Sequence, residues 1–171
     1  MRIELNPDWS EFLRLLISHR VKFMIVGGHA VAGHGQPRLT EDLDIFVKAS
    51  PANAAALHGA LKAFGLGRTT PSKSDLAVYG KIWMIGRKPW RIDILSQIDG
   101  VTFEQCWPMR VTAEFEPAPL PVIGRTQLIA NKRAAGRPKD LLDVAMLEDA
   151  KPPRRSRKRA TKPVKAKPRK V

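Results

Sequence analysis

KFMIVGGHAVAGHGQPRLTEDLDIFV, residues 22–47, is the stretch on which the reading of the fold turns. Lys22–Val26 is a short β-prone run that stops at Gly27 and Gly28. An alanine-rich segment from His29 to His34 then reads as a short helix, a loop with Pro37 follows, and Leu43–Val47 reads as a second strand. Asp42 and Asp44 lie at the entrance of that strand. Strand side chains alternate between faces, so residues two apart project from the same side. Two carboxylates held together in this way repel each other unless a cation lies between them. Hard oxygen donors of this kind suit Mg²⁺, which usually takes one or two carboxylates together with substrate phosphates. On its own, an acid pair of this spacing also fits a solvated strand end.

Outward from this stretch, the chain alternates helical and extended signals. Asn6 before Pro7 reads as an N-cap with proline at the first helical position, and Phe12, Leu13, Leu16 and Ile17 recur at helical spacing up to about His19. Ser50 before Pro51 repeats that signal and opens a helix through Leu57, Leu61 and Phe64. Lys81–Ile85 and Arg91–Leu95 flank Gly86–Pro89 as an antiparallel hairpin. Val111–Phe115 and Leu120–Ile123 read as shorter strands, and Thr126–Glu148 as helix interrupted around Gly136 and Pro138. The order predicts an α/β (α+β) domain, a mixed β-sheet with helices packed mainly on one side. A third acid, Asp93, lies between Ile92, Ile94 and Leu95. A carboxylate inside an apolar strand costs several kcal/mol to desolvate unpaired, so it calls for a partner. That partner is either an ion pair with Arg91 or Lys81, or a function shared with Asp42 and Asp44.

Charge divides the chain in two. The first 150 residues hold 19 of the 30 Lys and Arg residues against all 16 acids, so the net charge of +14 falls there to only +3. The remaining cations crowd into residues 151–171, which contain no acid and four prolines. So little apolar surface cannot offset the entropy of ordering the chain, and 151–171 is expected to be a disordered basic tail behind a domain spanning 1–150. No apolar run approaches the ~18–20 residues of a membrane span. The first residues, with Glu4, Asp8 and Glu11, do not read as a secretory signal, and the lone Cys106 excludes an internal disulfide. These features point to the cytoplasm and away from the membrane. No P-loop and no dinucleotide-binding glycine pattern is present. His19, His29, His34 and His58 lack the spacing of a helical zinc site, and structural roles are expected for most of them.

Phe23–Val31, Arg38–Ile45 and Arg91–Ile94 together resemble the nucleotidyltransferase superfamily with the polymerase-β-like fold, and more closely the AbiEii/MenT-type toxin nucleotidyltransferases. The resemblance covers roughly residues 10–149, with no motif to place in 65–80 or 97–120. It implies that Gly27 and Gly28 shape the turn at which backbone amides meet a triphosphate. Asp42 and Asp44 would hold two Mg²⁺ ions, and Asp93 would complete the metal site beside the acceptor hydroxyl. Arg38 and Thr40 match the family's Arg-x-Thr, Arg38 as a phosphate or acceptor contact or else in a loop ion pair with Glu41. Lys132, Arg137, Lys139, Asp140 and Asp143 match a lysine followed by a basic and acidic segment. Within it, Lys132 is expected to contact a β- or γ-phosphate and Asp140 to hold Lys132 or Arg137. The bland alternative is a capped surface helix with Asp140 and Asp143 at its positive end. His29 stands where many members of the family have serine, so a hydroxyl contact to phosphate is missing.

The tail bears on the partner. Arg154, Arg155, Arg157, Lys158 and Arg159 belong to a run with no aromatic residue, suited to phosphates without base preference. The expected activity is Mg²⁺-dependent transfer of NMP from an NTP to RNA, including a transfer RNA 3′ end, with an antitoxin as a possible partner. A protein or small-molecule acceptor such as an aminoglycoside is the alternative, and a non-catalytic nucleic-acid-binding module is a third reading.

Overall fold

The computed structural model describes residues 5–115 and 118–149. The basic extension lies outside the described residues, as do the phosphate contacts expected of Arg154, Arg155, Arg157, Lys158 and Arg159.

The opening helix α1 (Pro7–Ser18) starts as its sequence dictates: the Asn6 side chain accepts the Trp9 amide at 2.9 Å and Pro7 occupies the first turn. Its buried stripe is Trp9, Phe12, Leu13 and Leu16, while Ile17 falls at the margin and is exposed. Strand β1 (Phe23–Ile25) leads into α2 (Gly27–Gly33), and β2 (Asp42–Val47) follows the Pro37 loop. The Ser50 hydroxyl then caps α3 (Pro51–Ala63), whose Leu57 and Leu61 are buried. Phe64, just past its end, meets Phe12 with ring centroids 5.0 Å apart, tying α3 to α1.

A two-turn region with no legible motif forms α4 (Lys73–Leu76), capped by Ser72, before the hairpin of β3 (Ile82–Ile85) and β4 (Arg91–Leu95). Helix α5 (Phe103–Cys106) is fixed by a reciprocal capping box between Thr102 and Gln105. Strands β5 (Val111–Ala113) and β6 (Leu120–Val122) pair antiparallel. The last helical stretch is two helices, α6 (Arg125–Ala135) and α7 (Pro138–Asp149). They are parted by Gly136, which takes a left-handed conformation (φ 65°) and whose amide donates to the Lys132 carbonyl.

The expected mixed sheet is present, with strand order β3-β4-β2-β1-β6-β5. β1 runs antiparallel to β2 and parallel to β6, while β2 and β4 run parallel to each other. Leu43, Ile45 and Val47 on one face of β2 are fully buried. The buried side chain of Asn53 clamps the far end of the β1–β2 pair. It accepts the Lys22 amide at 2.7 Å and donates to the carbonyls of Lys22 and Lys48 at 3.1 and 2.9 Å. No helix among the described residues is long and apolar enough to cross a membrane.

Candidate active site

The parallel pairing of β2 with β4 assembles the acids. Its register sets Asp42 beside Arg91 and Asp44 beside Asp93, all on one face, while Leu43, Ile45, Ile92 and Ile94 pass into the core from the other. The strand alternation that placed Asp42 and Asp44 together therefore extends across strands to the third acid. Arg91 forks onto Asp93 through two hydrogen bonds of 2.7 Å and reaches Asp42 at 3.0 Å. The ion pair with Arg91 that the sequence left open for Asp93 is thus formed; Lys81 takes no part in it. Thr40 donates its hydroxyl to Asp42 at 3.0 Å, and Lys88 stands 3.9 Å from Asp42.

Asp44 is the member without a paired cation of its own among the described residues. Burial, and then the negative charges of Asp42 and Asp93, raise its pKa to about 7, against the weaker opposing pull of Lys132 and Lys139. A carboxylate held half-protonated near neutral pH marks a spot short of positive charge.

Both glycines that open α2 are explained by this crowding. Gly27 has φ +62°, and a Cβ there would lie 1.9 Å from the nearer Asp44 carboxylate oxygen; a Cβ on Gly28 would come 2.8 Å from the Cβ of Thr40. His29 is buried, packs edge-on against Trp9 at 5.1 Å, and has no partner for either ring nitrogen among the described residues. Burial lowers its pKa to about 4 against the pull of Asp42, so the imidazole is neutral at physiological pH. It sits behind the glycine turn and does not line the cavity described below. His34 and His58 bond the carbonyls of Ile123 and Pro71, in keeping with the structural roles expected of them.

A second charged cluster descends from α6 and α7. Lys132, buried, donates to Asp140 at 2.9 Å and to Asp143 at 2.8 Å, and both carboxylates are buried too. Arg137 bonds Asp140 from the other side, and Arg38 pairs with Asp143 at 2.9 Å. Burial pushes the Asp140 pKa up, but the hydrogen bonds from Arg137 and Lys132 outweigh it and hold the group below its usual range. Two of the alternatives left open by the sequence are not met here. Arg38 pairs with Asp143, while Glu41 faces Lys88 instead, and the acids of α7 are interior groups rather than caps on a surface helix. Asp140 does hold Lys132, and it holds Arg137 as well.

The two clusters face each other across a cavity of about 210 Å³. Of the twelve candidate site residues within the body of the chain, ten line it; Asp140 and Asp143 stand behind Lys132. Lys88 and Arg91 complete the wall, so six cations and three carboxylates surround the space. Arg91 and Lys88 were missed as site residues, although Arg91 at i and Asp93 at i+2 share a strand face by simple alternation. A small chamber walled by this charge set has the chemistry to suit a polyphosphate next to a divalent cation. The donor chemistry fits Mg²⁺, being hard carboxylate oxygens with unmet negative charge. In the arrangement described, Arg91 takes the cationic place between Asp42 and Asp93, and among the described residues no three His, Cys, Asp or Glu side chains converge as a ready metal cage.

The family description "Nucleotidyl transferase AbiEii toxin, Type IV TA system" matches residues 13–167. The chain therefore belongs to the AbiEii family of toxins of type IV toxin–antitoxin systems, and it is a nucleotidyltransferase. No individual curated protein matches it.

Proposed function

We propose that the protein transfers NMP from an NTP to RNA, with a transfer RNA 3′ end as the foremost acceptor, in a reaction that depends on Mg²⁺. The observation that carries this reading is the single chamber in which Asp42, Asp44 and Asp93 face Arg38, Lys132 and Arg137. Asp42, Asp44 and Asp93 would hold the metal, which when bound neutralises phosphate charge and lowers the pKa of an attacking hydroxyl. Lys132, fixed by Asp140 and Asp143, presents its ammonium to the β- or γ-phosphate without the entropy cost of ordering a free lysine. Arg38 and Arg137, each tied to one of those acids, flank the same phosphates. Thr40 fixes the Asp42 carboxylate by hydrogen bond. Asp93 receives the acceptor hydroxyl once Arg91 turns from it to the phosphates.

Residues 1–150 would form the catalytic domain and the cations of 151–171 would hold the RNA backbone, with Arg154, Arg155, Arg157, Lys158 and Arg159 among the contacts. A toxin of this family calls for an antitoxin partner and a cytoplasmic site of action. Incubation with each labelled NTP, Mg²⁺ and total cellular RNA tests the reading, with label expected in RNA. Label in protein or in an aminoglycoside would move the acceptor to those classes, and no label anywhere would leave a nucleic-acid-binding role. Deletion of 151–171 is expected to flatten the salt dependence of RNA binding and leave NTP affinity unchanged; an unaltered slope would remove the extension from the RNA contact.

A further inference from the structure

The chamber between the two charged clusters, about 210 Å³, is smaller than the ~300–1,000 Å³ of sites that enclose a whole drug-sized ligand. It has the size and charge for a triphosphate, and the rest of the nucleotide must lie elsewhere. A second cavity of about 650 Å³ adjoins it, and Gly27, Asp44, Asp93, Lys132 and Arg137 belong to both walls.

The lining of the larger cavity follows from sheet register. Asp44, Asp93 and Met84 form one row across β2, β4 and β3, and Phe46, Leu95 and Ile82 form the next. The face that carries the acids thus turns apolar toward the edge strand. Ile82 and Met84 project from that face 58% and 65% exposed, while Trp83 and Ile85, on the opposite face, are packed against the core. Two large apolar side chains left open beside a charged chamber form a platform for something flat and apolar. Gln97 stands on the same wall and has no side-chain partner among the described residues.

We propose that this larger cavity receives the ribose and nucleobase of the NTP, the base lying on Met84 and Ile82 and its polar edge meeting Gln97, which makes Gln97 a determinant of nucleotide choice. The proposal rests on the assignment of the triphosphate to the smaller chamber. It commits to the donor nucleotide because the two cavities share Lys132 and Arg137, the cations that would hold the phosphates between them.

Calorimetric titration of the full chain with the four NTPs and with inorganic tripolyphosphate separates the two assignments. The double variant Ile82→Ser with Met84→Ser removes apolar surface without adding charge, at positions that support no core. It is expected to weaken NTP binding about ten-fold and to leave tripolyphosphate binding unchanged. Gln97→Leu is expected to reorder the four NTPs by affinity. Unchanged NTP affinity in the double variant, with a raised KM for RNA, would overturn the proposal and give the cavity to the acceptor. Failure of tripolyphosphate and every NTP to bind the unmodified protein would overturn the triphosphate assignment and this one with it.

Discussion

The two charged clusters on either side of the chamber are built from the same kinds of residue and differ in balance. In the α6–α7 cluster every buried charge has a counter-charge: Lys132 is shared by Asp140 and Asp143, and these are closed off by Arg137 and Arg38. In the sheet cluster one guanidinium serves Asp42 and Asp93, and Asp44 forms no ion pair among the described residues, the pull of Lys132 and Lys139 being weaker than the push of burial and its two acidic neighbours. A balanced buried network fixes positions; an unbalanced one takes up charge from outside. The first therefore reads as the support that aims cations at phosphate, and the second as the place where a cation is acquired.

The contrast can be broken first at Asp44. Asp44→Asn is expected to lower transfer by about ten-thousand-fold with the fold intact, since the charge lost is the one proposed to face metal and phosphate. Retained turnover in a labelled-NTP assay would take Asp44 out of the reaction.

Lys132→Met should act in the opposite way, on stability. It strands two buried carboxylates and is expected to cost about 3–5 kcal/mol in urea unfolding. A loss under 1 kcal/mol would show that the cluster relaxes into water.

The unbalanced side also predicts a pH signature. Folded Asp44 keeps its proton to about pH 7, whereas an unfolded aspartate loses it near 4. The folded state binds more protons across that window, so its stability falls as pH rises from about 4 to 7. Thermal unfolding in chelator should show that decline for the wild type and a flatter curve for Asp44→Asn.

The smallest effect concerns Arg91. Arg91→Ala vacates the carboxylates of Asp42 and Asp93, and Mn²⁺ binding without nucleotide, followed by electron paramagnetic resonance, is expected to tighten about ten-fold. Weaker binding would mean that Arg91 orders those carboxylates for the metal rather than standing in for it.

Much of this was legible in the chain because it depends on local spacing. Asp42 and Asp44 share a face by alternation, Asn6 and Ser50 announce their helices, and Gly136 before Pro138 parts α6 from α7. What stayed hidden depends on contacts between distant segments. The hairpin of β3 and β4 was readable, yet nothing in Arg91–Leu95 states that β4 lies parallel to β2, which is what sets Arg91 against Asp42. The burial of Asp143 likewise arises only when α7 folds against α6 and the Arg38 loop closes over it. The capping pairs Ser72–Asp75 and Thr102–Gln105 were present as signals, but each starts a helix of four residues, too brief for any apolar period to show.

Gly27 has a consequence for how variants at the turn are interpreted. A methyl group placed there would strike the Asp44 carboxylate before it met any nucleotide. Gly27→Ala is thus a displacement of Asp44 in disguise, and its lost turnover would measure the acid's position rather than the backbone's grip on phosphate. The two residues form one steric unit: a shorter side chain at position 44 would relieve the clash of a change at position 27 and leave only the strain of its left-handed backbone.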